Sequence, residues 1–286
     1  MKILALESSG LVASVALWAD GCLMGEYTTN FKKTHSQTLL PMLDGLMTML
    51  GVSPDSCDAL AVSAGPGSFT GLRIGSATAK GIGLALNLPI IEVPTVDAIA
   101  YNLFGTDRII CPLMDARRQQ VYTGLYTFTG ADLTVVTPQK VTAIDAILEE
   151  LGALGRPVIF TGDGVPVYKD VIQTKCTVDY VFAPAHLAAQ RAGALASLAA
   201  VYYNDPAKKD HVVNARDHQP DYLRLSQAER ELAAKNAAKK NEGGDEQKAA
   251  GQIKAATEAA VQKKVTEAAN VHEAAAEGNL KNGCAR

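Results

Sequence analysis

The chain has 286 residues, 48% of them hydrophobic, enough apolar material for one large or two ordinary packed domains. A formal net charge of −3 argues against a surface that grips a polyanion unaided, so any nucleic-acid contact is expected to be local or shared with another protein. Five scattered cysteines (Cys22, Cys57, Cys111, Cys176, Cys284) without a C-x-x-C spacing give neither a disulfide framework nor a zinc site; with no signal-like N-terminus and no membrane-length apolar run, a cytoplasmic setting away from membranes is expected.

Ile3–Leu6 reads as a strand and Glu7-Ser8-Ser9-Gly10 as a turn. Val12–Ala19 is a strand that meets Asp20-Gly21, a hairpin signal, before a third strand at Cys22–Thr28. The pattern then predicts a helix over His35–Leu50, a strand at Ala59–Ser63 and, after the break at Gly65-Pro66-Gly67, a helix over 71–86 ended by Asn87. A strand at Ile90–Val93 and a helix from Thr95 to about Leu103 follow. The order β-β-β-α-β-α-β-α then starts again. It runs through a strand at Arg108–Leu113, a polar turn at Asp115–Gln120, and strands at Val121–Phe128 and Leu133–Val141, where Pro138 marks an edge. Helix 143–151, strand 158–161, a Gly162-Asp163-Gly164 turn, helix 165–173, strand 178–182 and helix 185–203 complete it. From Glu231 the sequence becomes rich in Ala, Lys and Glu with no aromatic residue, a low-complexity tail expected to be solvated or partly helical. The expected division is 1–103, then 104–230 with a returning C-terminal segment, then the tail 231–286.

Two dissimilar halves with one element order, each a mixed sheet of three antiparallel strands extended by parallel ones, predict an α/β, two-lobed actin-like (ASKHA) fold. Members of that class that hydrolyse ATP use the first β-turn of each half as a phosphate loop. Here those turns are Glu7-Ser8-Ser9 and Asp115-Ala116-Arg117. Short side chains in the first turn, and backbone N–H groups of residues 67–71 at a helix start, make Glu7, Ser8, Ser9, Gly65 and Gly67 the candidate nucleotide-cleft residues. Glu in place of the usual Asp, and a bulky second loop, argue that the cleft is degenerate. Gly65–Gly71 is not a Walker loop, since no Gly-Lys-[Ser/Thr] follows, and Gly67-Ser68-Phe69-Thr70-Gly71 lacks the G-x-S-x-G of a hydrolase elbow. Ser68 or Thr70 is expected to cap the helix instead.

At roughly 100° per residue, helix 71–86 carries one narrow polar strip, Arg73, Ser76 and Lys80, and is otherwise apolar or small, so burial on more than one side is expected. On helix 35–50 three methionines and five leucines cover about half the circumference, more than one sheet can hide. The surplus arc predicts a contact surface built from Met42, Leu46, Met49, Ile74, Thr78 and Ile82, pairing first with a second copy as a homodimer.

The segments LESS (6–9), THSQTLLPML (34–43), AGPGSFTGLRIGSATAKGIGLAL (64–86), PLMDARRQQVY (112–122) and DYLRLSQAER (221–230) together resemble the TsaB (YeaZ) family over residues 1–230. The resemblance implies a non-catalytic ASKHA paralogue that pairs with TsaD, and with TsaE, to make threonylcarbamoyladenosine beside the anticodon of tRNAs. TsaD carries the transfer chemistry in that scheme, tRNA is reached only through the complex, and this chain has no catalytic residue and no cofactor of its own. ATP or ADP at the partner interface is left open. The catalytic paralogue has a His-x-x-x-His pair where this chain has Thr95 and Ile99; Ile cannot coordinate, so no metal is expected. The rival reading is an ATP-dependent enzyme on the same fold, a small-metabolite kinase or a glycoprotease-like peptidase. A kinase would need an intact Asp-containing phosphate loop and a glycine-rich adenosine motif.

Overall fold

A computed structural model describes residues 1–31 and 34–223; the expectations for residues 224–230 and for the tail 231–286 lie outside the described residues. The first half runs β1 (Lys2–Glu7), β2 (Ala13–Ala19), β3 (Cys22–Thr29), α1 (His35–Leu50), β4 (Ala59–Gly65), α2 (Phe69–Leu86), β5 (Ile90–Pro94) and α3 (Thr95–Tyr101). The second runs β6 (Ile109–Pro112), β7 (Met114–Asp115), β8 (Gln120–Thr129), β9 (Asp132–Ala143), α4 (Ile144–Leu154), β10 (Val158–Thr161), α5 (Val165–Lys175), β11 (Tyr180–Phe182) and α6 (Ala192–Asn204), followed by the short β12 (Val212–Val213).

The first sheet has the order β12-β5-β4-β1-β2-β3. In the second, β11-β10-β6-β8 is extended by β9 on the far side of β8, so the same five-strand arrangement occurs twice. Pro138 sits in β9, which among the described strands pairs with β8 alone, as a residue without an N–H requires. Strands β1 and β4 are buried along nearly their whole length and read as continuous apolar runs, the pattern of strands covered on both faces. Alternation sorts their side chains. Leu4, Leu6, Leu60 and Val62 pack under α1 and α2, while Ile3, Ala5, Ala59 and Ala61 pack under α6.

The packing crosses the division expected at residue 103. Helix α3, from the first half, lays Val96, Ile99 and Ala100 against Ile110, Met114 and Tyr126 of the second sheet. Helix α6, from the second half, lays Leu195, Ala196 and Ala199 on the first sheet, and β12 pairs with β5. Where the two helices meet, the buried Asp97 of α3 accepts hydrogen bonds from Tyr126 (2.6 Å) and Tyr202 (2.9 Å). Burial raises the Asp97 pKa, and those two hydroxyls oppose the rise. The helix expected over 185–203 is a short 3-10 turn at Ala185–Leu187 and then α6, whose first N–H, on Ala192, donates to Ser14. Among the described residues no helix is long and apolar enough to cross a membrane.

Candidate functional site

Both α1 and α2 begin at the carboxyl edge of the first sheet, beside the β1–β2 turn, so the phosphate-loop candidates and the helix starts occupy one place. The turn is folded into the protein. Glu7, Ser8 and Ser9 are all buried. One oxygen of the Glu7 carboxylate accepts from the Ser9 N–H (2.7 Å) and the Ser9 hydroxyl (2.5 Å), and the other accepts from Ser63. Burial pushes the Glu7 pKa up, with the Ser63 and Ser9 donors opposing it. The extra methylene of Glu, which suits a phosphate loop poorly, lets the side chain curl back onto its own turn.

The N-terminus of α2 is likewise occupied from within. Ser68 caps it, accepting from the Gly71 N–H at 3.3 Å, and the Ser68 N–H itself donates to the Ser9 carbonyl at 2.6 Å. Added Cβ atoms would lie 2.4 Å from the Ser9 carbonyl oxygen at Gly67 and 2.1 Å from the Ser8 carbonyl oxygen at Gly71. The glycines therefore serve a close approach between turn and helix. Of the residues expected to line a degenerate nucleotide cleft, Glu7 and Ser9 hydrogen-bond each other, Ser9 also bonds the α2 start, and Ser8 and Gly67 lie in the close approach between turn and helix. A Cβ added at Gly65, whose φ is 136°, would lie 2.1 Å from the Asp221 carbonyl oxygen of the C-terminal segment.

The second loop is built differently. Arg117, Arg118 and Gln119 all take left-handed φ values of 56° to 62°, a conformation costing on the order of 1–3 kcal/mol per non-glycine residue. Asp115 holds it, accepting from the Arg117 N–H (2.8 Å) and the Tyr168 hydroxyl (2.9 Å). The two arginines are exposed. Between the loops, Gly10 lies against Gln190 and Asp163 of the second half, and His35 reaches the Gly10 carbonyl at 2.9 Å. Burial raises the Asp163 pKa while the nearby Gln190 amide lowers it.

The expected contact surface is rearranged. Leu46 is a core residue, 1% exposed, packed with Leu39, Leu43 and Met47 over β1, β2 and β4. Met42, Ile74 and Ile82 are half-buried against the same cluster, and Thr78 is half-buried with its hydroxyl bonded to the Ile74 carbonyl. Met49 is 73% exposed, but its sulfur accepts from Tyr27 of the edge strand β3, on the flank of α1 away from α2. On α2 the polar strip is partly covered, with Arg73 still exposed. Ser76 is buried, and Arg73 and Lys80 bond the C-terminal segment 214–222. The face left open carries Ala77, Gly81, Leu84 and Ala85, with Leu84 at 54% exposure and nothing within 4 Å of a Cβ placed on Gly81. Leu40 of α1, 55% exposed, projects on the flank opposite Met49 and so toward α2. Sequence reasoning passed over these residues because the segment that covers the other side of α2 is about 140 positions away in the chain. Thr95 and Ile99 are buried, and among the described residues no group of three or more His, Cys, Asp or Glu side chains is placed to hold a metal ion.

A duplicated five-strand sheet with exchanged helices and facing β-turn loops defines an actin-like, two-lobed ASKHA protein. A family model described as "TsaD: tRNA N6-adenosine threonylcarbamoyltransferase" matches residues 24–232. The tRNA threonylcarbamoyladenosine biosynthesis protein TsaB of Bacillus subtilis (strain 168) is 33% identical over 229 residues, 80% of this chain and 96% of that protein. TsaB of Escherichia coli (strain K12) is 38% identical over 129 residues, 44% of this chain and 55% of that protein. A crystal structure from Pseudomonas aeruginosa, of a protein with similarity to peptidase YeaZ, superposes with a TM-score of 0.67 at 27% identity. It covers 78% of this chain and 99% of that one. The chain belongs to the TsaB (YeaZ) family of tRNA threonylcarbamoyladenosine biosynthesis proteins.

Proposed function

We propose that this chain is the non-catalytic partner of a TsaD protein in threonylcarbamoyladenosine formation, docking through the open face of α2 and the neighbouring flank of α1. The observation that carries the reading is the filled first loop. Where nucleotide-hydrolysing relatives of this fold grip phosphate, Glu7, Ser9 and Ser63 bond one another and the α2 N-terminus bonds Ser9. Beside it, Ala77 and Gly81 give a strip of small residues that lets another backbone come close, flanked by the exposed Leu40 and Leu84. A net charge of −3 fits a subunit that meets tRNA through its partner. In this reading a TsaE protein completes the machinery in the cytoplasm, a second copy occupies the same face when TsaD is absent, and ATP or ADP binds where the partners meet. The two phosphate-loop turns of this chain then serve as structure.

The test is reconstitution with tRNA, threonine, bicarbonate and ATP, adding TsaD, TsaE and the enzyme supplying the activated threonylcarbamoyl group, and omitting one protein at a time. Modified adenosine is expected only when both this chain and TsaD are present. Modification by this chain without TsaD would overturn the non-catalytic reading, and full modification without this chain would overturn the partnership.

A further inference from the structure

The strip of α2 that the sequence marks as polar is held by a strap formed by residues 214–222, which runs back along the helix from its middle to its start. Lys80 donates to the carbonyls of Arg216 (2.9 Å) and His218 (2.8 Å). One turn earlier Ser76 meets His218 Nε2 at 2.8 Å, and His218 Nδ1 meets the Glu92 carboxylate of β5 at 2.6 Å. A carboxylate only accepts, so Nδ1 carries a proton, and Nε2 shares the second hydrogen bond with the Ser76 hydroxyl. Further on, Arg73 stacks on the Phe69 ring at 3.9 Å and donates to the Tyr222 hydroxyl, and the Asp221 N–H donates to the Ala64 carbonyl at 2.7 Å.

The Ser–His–Glu order is that of an acyl-transfer triad, yet His218 is 1% exposed, Ser76 is 5% exposed, and the amides around Ser76 belong to the helix ladder, leaving no oxyanion donor. Its position suggests another role. At roughly 100° per residue, Arg73, Ser76 and Lys80 span about 60° of α2, and Ala77, Gly81 and Leu84 span about the next 60° or so. The strap grips one shoulder of the open face and α1 packs on the other, so the relay fixes the rotation of the helix about its axis.

We infer that Ser76, His218 and Glu92 are positioning residues: their relay pins the strap to α2 and sets the pose of the face offered to the partner. The inference rests on the docking reading above. Its test uses the full chain carrying Ser76→Ala, with Ser76→Thr, which keeps the hydroxyl, as the conservative rescue and Ala77→Asp as the face control. Hydrogen exchange over 72–82 and 214–222 and affinity for a purified TsaD protein are measured, the latter corrected for folded fraction. Ser76→Ala is expected to raise exchange in both segments and weaken affinity by about tenfold, with Ser76→Thr staying within about threefold of the parent. Unchanged exchange in Ser76→Ala overturns the clasp. Raised exchange with parental affinity, while Ala77→Asp abolishes binding, overturns its positioning role. Parental affinity in Ala77→Asp overturns the docking face itself, and the exchange measurement still decides the clasp.

Discussion

If the first turn is an internal brace, removing its carboxylate must cost folding stability. Glu7→Ala takes away the acceptor for the Ser9 N–H and for the Ser9 and Ser63 hydroxyls, all at a buried position. The orphaned N–H alone costs about 1–3 kcal/mol. The one lost methylene adds about 0.8 kcal/mol before any cavity term. The sum, before a cavity cost and an opposing relief from burying an ionisable group, is about 2–4 kcal/mol, or a melting midpoint lower by roughly 4–16 °C at ~2–4 °C per kcal/mol. Glu7→Gln keeps the shape and the acceptor toward Ser9, and its amide can donate to Ser63, so about 1 kcal/mol is expected at neutral pH. The pH dependence supplies a sign. The folded-state pKa of Glu7 is raised by burial, so its contribution is fully present below the unfolded value of about 4.3 and is lost as pH rises through the folded value. Glu7→Gln does not titrate and must gain on the parent between pH 4.5 and higher pH, to the extent that the folded pKa lies above about 4.3. Urea unfolding of both variants and the parent across that range checks both statements. A loss under about 1 kcal/mol in Glu7→Ala would refute the brace.

Other substitutions separate core from surface. Leu46→Ala should cost about 2–5 kcal/mol by urea unfolding, and Met49→Ala should stay within about 0.5–1 kcal/mol, the reverse of an interface in which both are exposed. One exchange, Gly→Ala, should act with opposite signs at two positions of α2. At Gly81, with open space around its Cβ, it should raise the melting midpoint by about 2–4 °C, and at Gly71, where Cβ would lie 2.1 Å from the Ser8 carbonyl oxygen, it should lower it. Asp97, also raised by burial, makes the parent lose stability as pH climbs above about 3.9; Asp97→Asn should remove that part of the slope, and an unaltered slope in urea titrations would contradict it.

What could be read from the sequence was local. The span of α1, the strand at 158–161, the Asn87 stop and the edge position of Pro138 each follow from periodicity or from one residue's chemistry, and each occurs as expected. The repeat of element order gave the topology because it needs no contact information. What could not be read was any pairing across long separation. The exchange of α3 and α6 between sheets depends on partners in the other half, and equal apolar periodicity in both helices gives no hint of it. The polar strip of α2 looks like a solvent face until the strap at 214–222 is placed on it. Leu46 and Met49 are three positions apart on one helix, and only the location of β3 and Tyr27 decides that the first is core and the second marginal.

The central claim, that this chain acts by presenting the open face of α2 and has no transfer chemistry of its own, is tested most directly at Gly81. Gly81→Arg adds bulk and charge where the folded chain has open space, so circular dichroism and melting should match the parent. Threonylcarbamoyladenosine formed in the reconstituted reaction is then quantified by mass spectrometry of digested tRNA. The account predicts a folded Gly81→Arg protein that supports no modification above the reaction lacking this chain; parental yield from that protein would contradict it.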